Sequence, residues 1–118
     1  MSNLRRLGKE YEQMAAGYLV GKGCRILERN FYTKFGELDL IVRSPEGTIV
    51  AVEVKYRQSN AFGDPAEAVD PRKMHRMGKA FSYYLLKHPA RADLRFDIIA
   101  ISGPGRIRHI PDAFGFQG

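Results

Sequence analysis

"GELDLIVRSPEGTIVAVEVKYR", Gly36–Arg57, reads as two strands joined by a tight turn. Glu37, Asp39, Glu53 and Lys55 interrupt strands otherwise built from Leu, Ile and Val. Carboxylates are poor strand residues and costly to bury without partners. Side chains alternate along a strand, so Leu38, Leu40 and Val42 share one face, and Glu37, Asp39 and Ile41 the other. Within Thr48–Arg57, Val50, Val52, Val54 and Tyr56 share a face; Ile49, Ala51, Glu53, Lys55 and Arg57 share the opposite one. Pro45-Glu46-Gly47 suits a three-residue loop, a type I turn that opens on Pro and closes on a left-handed Gly. Ser44 then pairs with Thr48, which places Asp39 opposite Glu53 and Glu37 opposite Lys55. A two-residue loop would put Asp39 and Glu53 on opposite faces.

Two directly opposed carboxylates repel by up to roughly 1 kcal/mol in a solvated sheet. A divalent cation between them would remove that cost. Oxygen ligands at a site open to substrate favour Mg²⁺ or Mn²⁺ over zinc, with Asp39 and Glu53 as the ligands. Lys55, on the same face, can contact an attacking water or a phosphate oxygen, an arrangement suited to phosphodiester hydrolysis. The alternative is a solvated ion-pair ladder of Asp39, Glu53, Lys55 and Arg57, since an Asp…Glu-x-Lys spacing is common by chance. Ile41, Ile49 and Ala51 make the same face apolar for half its length. A pocket mouth fits that pattern better than a fully exposed face.

Around the hairpin, 118 residues of 13.4 kDa make a single domain, 1–118, with one core. Leu7, Tyr11, Met14, Ala15, Tyr18 and Leu19 recur at helical spacing over Leu4–Val20, and Gly21 and Gly23 stop that helix. Cys24–Tyr32 is a strand. Gln58–Val69 reads as a loop, with Ser59–Asp64 beside the proposed site. Asp70 as N-cap and Pro71 at the first helical position open a second helix to Lys87, which His88-Pro89 ends. Leu94–Ser102 and Arg106–Ile110 are the last strands. The order α-β-β-β-α-β-β makes an α/β fold, a mixed sheet flanked by helices.

The net charge of +6 fits a polyanionic partner, nucleic acid before anionic membrane. On the second helix, Met74, Met77, Phe81, Tyr84 and Leu85 form an apolar face. Arg72, Lys73, Arg76, Lys79 and Lys87 lie mostly on the other side, either as phosphate contacts or as an ordinary solvated face. One cysteine, Cys24, excludes an internal disulfide, and with three scattered histidines it offers no zinc spacing. No run approaches a membrane span and no apolar leader opens the chain, so the expected location is the cytoplasm.

The same residues resemble the D…E-x-K core of the PD-(D/E)XK nuclease superfamily. The chain is most similar to the YraN family, small bacterial endonuclease-like proteins that are themselves similar to archaeal Holliday junction resolvases. "YEQMAAGYLVGKGCRILERNF" (11–31), "GELDLI" (36–41), "VEVKYR" (52–57), "FGDPAEAV" (62–69) and "AF" (113–114) carry the likeness in order. The resemblance implies an α-β-β-β-α-β restriction-endonuclease-like core and a catalytic set of Glu12, Asp39, Glu53 and Lys55. Glu12 enters only through it; on its own, Glu12 reads as a helix carboxylate within reach of Lys9. Tyr11 stands where the family usually has Gly, Tyr32 where Arg is frequent, and Tyr56 where the residue is usually small or Thr.

The expected function is a metal-dependent endonuclease acting on DNA, branched or nicked. Asp39 and Glu53 would hold Mg²⁺ or Mn²⁺, and Glu12 would support the ion through water. Lys55 would position the nucleophile, while Arg57, Arg72, Lys73 and Arg76 would meet phosphates. Resolvase-like cutting of two strands calls for a homodimer, and no small-molecule substrate is expected. The rival readings are a non-catalytic nucleic-acid-binding module and a protein-interaction module of a DNA-processing complex.

Overall fold

The computed structural model describes residues 2–57, 70–103 and 105–116, with side chains from residue 8 onward except at residue 57. The loop expected over 58–69, with its segment beside the proposed site, lies outside the described residues. The elements run α1 (Ser2–Gly21), β1 (Arg25–Tyr32), β2 (Glu37–Arg43), β3 (Ile49–Arg57), α2 (Pro71–Lys87), β4 (Leu94–Ser102) and β5 (Arg106–Phe114).

The strands lie in sequence order in one five-stranded sheet. Only β3 and β4 pair in parallel; the other neighbours are antiparallel. A parallel pair needs a crossover, and α2 supplies it. Asp70 caps α2 by accepting the Lys73 N–H at 2.9 Å, Pro71 occupies its first turn, and the His88 N–H closes it on the Tyr84 carbonyl at 2.9 Å. At the end of α1 the Cys24 N–H returns to the Leu19 carbonyl at 3.0 Å, with Gly23 at φ +90° completing the turn.

The two helices cover opposite faces. Under α2, Met77, Ala80, Phe81 and Tyr84 pack on Ile41, Ile49, Ala51, Phe96 and Ile98. Under α1, Ala15, Ala16 and Leu19 pack on Leu40, Val42, Val50, Val52, Ile99 and Ile101. The alternation of β3 therefore stands as its sequence implies.

The turn of the β2–β3 hairpin has the predicted geometry. The Gly47 N–H donates to the Ser44 carbonyl at 2.9 Å, the Ser44 N–H to the Thr48 carbonyl at 2.8 Å, and Gly47 sits at φ +94°. The register follows: Arg43↔Ile49, Val42↔Val50, Ile41↔Ala51 and Leu40↔Val52. One residue differs from expectation. Leu38 joins Ile41 in the core under α2, whereas Leu40 belongs to the core under α1. The alternation slips at Asp39, where β1 is also irregular: Asn30 has φ +51°.

β5 extends four residues beyond the expected Ile110, to Phe114. The added stretch includes Pro111, which is tolerated because β5 is an edge strand. The register shifts between Phe96 and Ile98, and Asp112 adopts φ +51°. The buried Asp97 holds this bulge. Its Oδ1 accepts the Asp112 N–H at 3.0 Å and the Arg95 Nε at 2.8 Å; its Oδ2 accepts the Arg95 Nη2 at 3.0 Å and faces His109 Nε2 at 2.7 Å. Tyr18 of α1 reaches His109 Nδ1 at 3.2 Å, so the network ties a helix to the edge strand. Burial alone would push the Asp97 carboxyl up, but Arg95, the Asp112 N–H and His109 outweigh it and hold the carboxyl below its usual range. Asp97→Ala, which strands Arg95 and the bulge N–H, is expected to lower unfolding stability by about 3 kcal/mol in urea titration.

Candidate active site

The β2–β3 ladder ends at Leu40↔Val52. One step further, where the register would bring Asp39 and Glu53 opposite each other, a side chain takes over from the backbone: Asp39 Oδ2 accepts the Val54 N–H at 2.8 Å. Glu53 follows Ala51 on the α2 side of β3 and is buried, at 5% exposure. Its Oε1 receives two ammonium groups, Lys73 Nζ at 2.6 Å and Lys55 Nζ at 3.5 Å. Lys55 comes from the same strand, and Lys73 from the first turn of α2.

These neighbours set the electrostatics. Burial and the charge of Glu53 raise the Asp39 carboxyl from 3.8 to about 7, against the Val54 hydrogen bond, with Glu12 and Glu37 adding smaller pushes. Burial lowers the Lys55 ammonium, and the nearby Lys73 adds to that effect, against the opposing pull of Glu53. Burial works the same way on Lys73, but the hydrogen bond to Glu53 and its charge reverse the balance and hold Lys73 in its charged form.

Glu12 stands on α1, the helix covering the other face, yet it senses this cluster. Its carboxyl is raised by burial first and then by Glu37 and Glu53, while a hydrogen bond with Asn30 and the charge of Lys9 act downward. The Lys9 pairing read from sequence is the smallest of these influences. Asn30, at its left-handed position in β1, is a neighbour that sequence reasoning missed; nothing but its place opposite Asp39 marks it.

Tyr11 and Tyr56, two departures from the pattern of the resembled family, are one contact. Their rings stack at 4.1 Å between centroids and 10° between planes. They flank Glu12 and Lys55 in sequence, on the α1 side of β3.

Among the basic residues expected to meet phosphates, Arg72 and Arg76 are exposed on α2, and the side chain of Arg57 lies outside the described residues. Lys73 is different. The helical pattern places it on a solvated stripe, but the structure turns it inward onto Glu53. Asp70, by fixing the helix start at Lys73's own N–H, is the sequence signal that it stands in the first turn beside the strand ends. Lys79 and Lys87 lie over the rings of Phe35 and Tyr83, at 5.4 and 5.0 Å. Among the described residues no group of three or more His, Cys, Asp or Glu is close enough to hold a metal together. A two-carboxylate site still suits Mg²⁺, which keeps several waters and takes one or two carboxylates besides substrate oxygens. The donor set is what suits the pair to such an ion: Asp39 and Glu53 are close enough for the Glu53 charge, after burial, to raise the Asp39 carboxyl.

The fold and cluster define a class: an α/β domain whose parallel β-α-β unit gathers carboxylates and lysines where β2 and β3 part. The sequence profile described as "Uncharacterised protein family UPF0102" matches residues 11–101, and the chain belongs to that family. A UPF0102 protein of Syntrophomonas wolfei is 46% identical over 114 residues, covering 93% of this chain and 98% of its own. One of Persephonella marina is 45% identical over 108 residues, with 91% of each chain covered. Among solved structures, Pyrococcus furiosus SfsA in complex with Ca²⁺ aligns with a TM-score of 0.29 at 12% identity, over 91% of this chain and 63% of that one, too distant to establish a common fold. No helix among the described residues is long and apolar enough to cross a membrane.

The raised Asp39 carboxyl has a pH consequence. Between about pH 4 and pH 7 the unfolded chain gives up this proton while the folded one keeps it, so metal-free stability falls as pH rises through that window. Asp39→Asn removes that slope and is expected to be more stable than wild type at pH 8, by up to a few kcal/mol. Urea titrations in EDTA at several pH values between 4 and 8 check both signs.

Proposed function

We propose that this protein is a metal-dependent endonuclease acting on DNA phosphodiester bonds, with branched or nicked DNA as the substrate class. The observation that carries the reading is that Asp39, which accepts the Val54 N–H, lies next to Glu53 where the β2–β3 ladder ends, with Lys55 Nζ 3.5 Å from Glu53 Oε1. Asp39 and Glu53 would hold Mg²⁺ or Mn²⁺, which when bound would act as a Lewis acid on a phosphate oxygen. Lys55 would donate hydrogen bonds to the attacking water or to a non-bridging phosphate oxygen. Glu12, on α1, would support the ion through water. Arg72 and Arg76 offer exposed cations for phosphates flanking the scissile one, giving affinity without sequence choice. Cutting both strands of a junction would require two copies of the chain, an expectation that light scattering in the presence of junction DNA tests.

A second reading is supported by Lys73. A carboxylate already neutralised at 2.6 Å by a lysine is compensated without any ion, as in a nucleic-acid-binding module that keeps the fold and lacks turnover. Labelled duplex, nicked and four-way-junction DNA incubated with Mg²⁺, Mn²⁺ or EDTA separates the two. The endonuclease reading expects cleavage with metal, none in EDTA, and loss of at least about a thousandfold in rate for Asp39→Asn. It also expects Mn²⁺ to raise the melting temperature of wild type and not of Asp39→Asn. Salt-sensitive DNA binding with neither cleavage nor a metal response would favour the binding module.

A further inference from the structure

Beside the carboxylate pair lies a cleft of about 440 Å³, lined by Lys34, Gly36, Glu37, Lys73 and Arg76 among others. Lys73 belongs to both places. Its Nζ is on Glu53 Oε1 at 2.6 Å, while its side chain remains one-third exposed and forms part of the cleft wall. The turn that makes the opposite wall is held firmly. Thr33 Oγ1 accepts the N–H groups of Phe35 and Gly36 at 3.0 and 3.1 Å and donates to the Gly36 carbonyl at 2.8 Å. Gly36, at φ +159°, is pressed against Arg76 so closely that an added Cβ would meet the Arg76 Cβ at 3.2 Å. The three cations of this cleft thus stand on a rigid turn and a capped helix, next to a carboxylate oxygen that already carries two ammonium groups.

We propose that this cleft is a phosphate subsite, and that Lys73 is its switch: the lysine neutralises Glu53 while the cleft is empty and leaves it for a DNA phosphate held by Lys34 and Arg76. The proposal rests on the metal-dependent reading above, which it extends. Lys73 and a divalent cation compete for the same oxygen, Glu53 Oε1. A phosphate in the cleft draws Lys73 away and opens that oxygen; an ion on Asp39 and Glu53 repels Lys73 toward the phosphate. Each ligand therefore strengthens the other by the same factor. Substrate and metal would load together, and Lys73 on Glu53 would keep the metal-free site from collecting ions idly.

Mn²⁺ affinity, read from the paramagnetic resonance of the free ion, tests this with wild type, Lys73→Met, Arg76→Met and Asp39→Asn, each with and without a thymidine tetranucleotide. Lys73→Met alone is expected to bind Mn²⁺ roughly tenfold more tightly than wild type, within the usual range of coupling between sites. The tetranucleotide should tighten Mn²⁺ binding to wild type and have little further effect on Lys73→Met. Arg76→Met should bind Mn²⁺ like wild type and respond less to the tetranucleotide. Asp39→Asn serves as the blank for ions held by the oligonucleotide itself. If wild type binds Mn²⁺, Asp39→Asn does not, and Lys73→Met is no tighter than wild type, the switch is overturned while the metal site stands. If none of the proteins binds Mn²⁺, the metal reading falls and takes the switch with it. A second measurement needs no variant. In uniformly ¹⁵N-labelled wild type, the ammonium signal of Lys73 should move toward that of a solvated lysine on adding Mg²⁺. A signal unmoved while backbone resonances around Asp39 report Mg²⁺ binding overturns the proposal.

Discussion

The three-residue turn at Pro45-Glu46-Gly47 sets the parity of everything downstream of it. Because Ser44 pairs with Thr48, the hydrophobic residues of β3 divide cleanly between the two helices, and the same division brings Glu53 to the face of α2. One residue more or fewer in the loop would turn Glu53 and Lys55 toward α1 and leave Val52 and Val54 facing Lys73. The apolar core and the polar cluster are thus two readings of one register. Pro45 and Gly47 earn their places by fixing it.

Two aspartates in this small domain, Asp97 buried and Asp39 half-buried, follow opposite courses. Asp97 is surrounded by donors: a guanidinium, an imidazole and the N–H of a strand bulge. Its charged form is favoured despite burial, and it fastens the edge strand and α1 to the sheet. Asp39 receives one backbone N–H, and burial first, then Glu53 and more weakly Glu12 and Glu37, disfavour its charged form. A fully satisfied carboxylate builds structure, and an under-satisfied one is poised for a ligand.

Local chemistry made most of the fold legible before any coordinates. The capping Asp70-Pro71, the Gly stop of α1, the turn residues and the two periodicities located six of the seven elements to within about two residues. Tertiary interactions account for what was missed. β5 continues past Pro111 because Asp97 supplies an acceptor fifteen residues upstream for the N–H its bulge leaves over. Leu38 changes sides because β2 parts from β3 at Asp39, which pattern alone treats as one more alternating position. Lys73 reads as a solvated cation because helical periodicity ranks faces by apolarity and is blind to a buried acid on a neighbouring strand. In the site, the turn predicted the register as far as Leu40↔Val52, one step short of Asp39 and Glu53, and Glu12 entered only through resemblance to a family. The Tyr11–Tyr56 stack was invisible as a contact, though both residues stood out as substitutions.

The two outer strands share a property that bears on how copies of this chain can meet. β1 has a register shift between Ile26 and Glu28 and a left-handed residue at Asn30; β5 has its own bulge, a left-handed Asp112, and Pro111, which has no N–H to give. Neither border is a straight row of backbone donors and acceptors, so both resist the addition of a further strand. Joining two sheets into one continuous ribbon would cost backbone hydrogen bonds at every irregularity. Edge-to-edge joining of two sheets is thereby disfavoured relative to contacts through helices and loops.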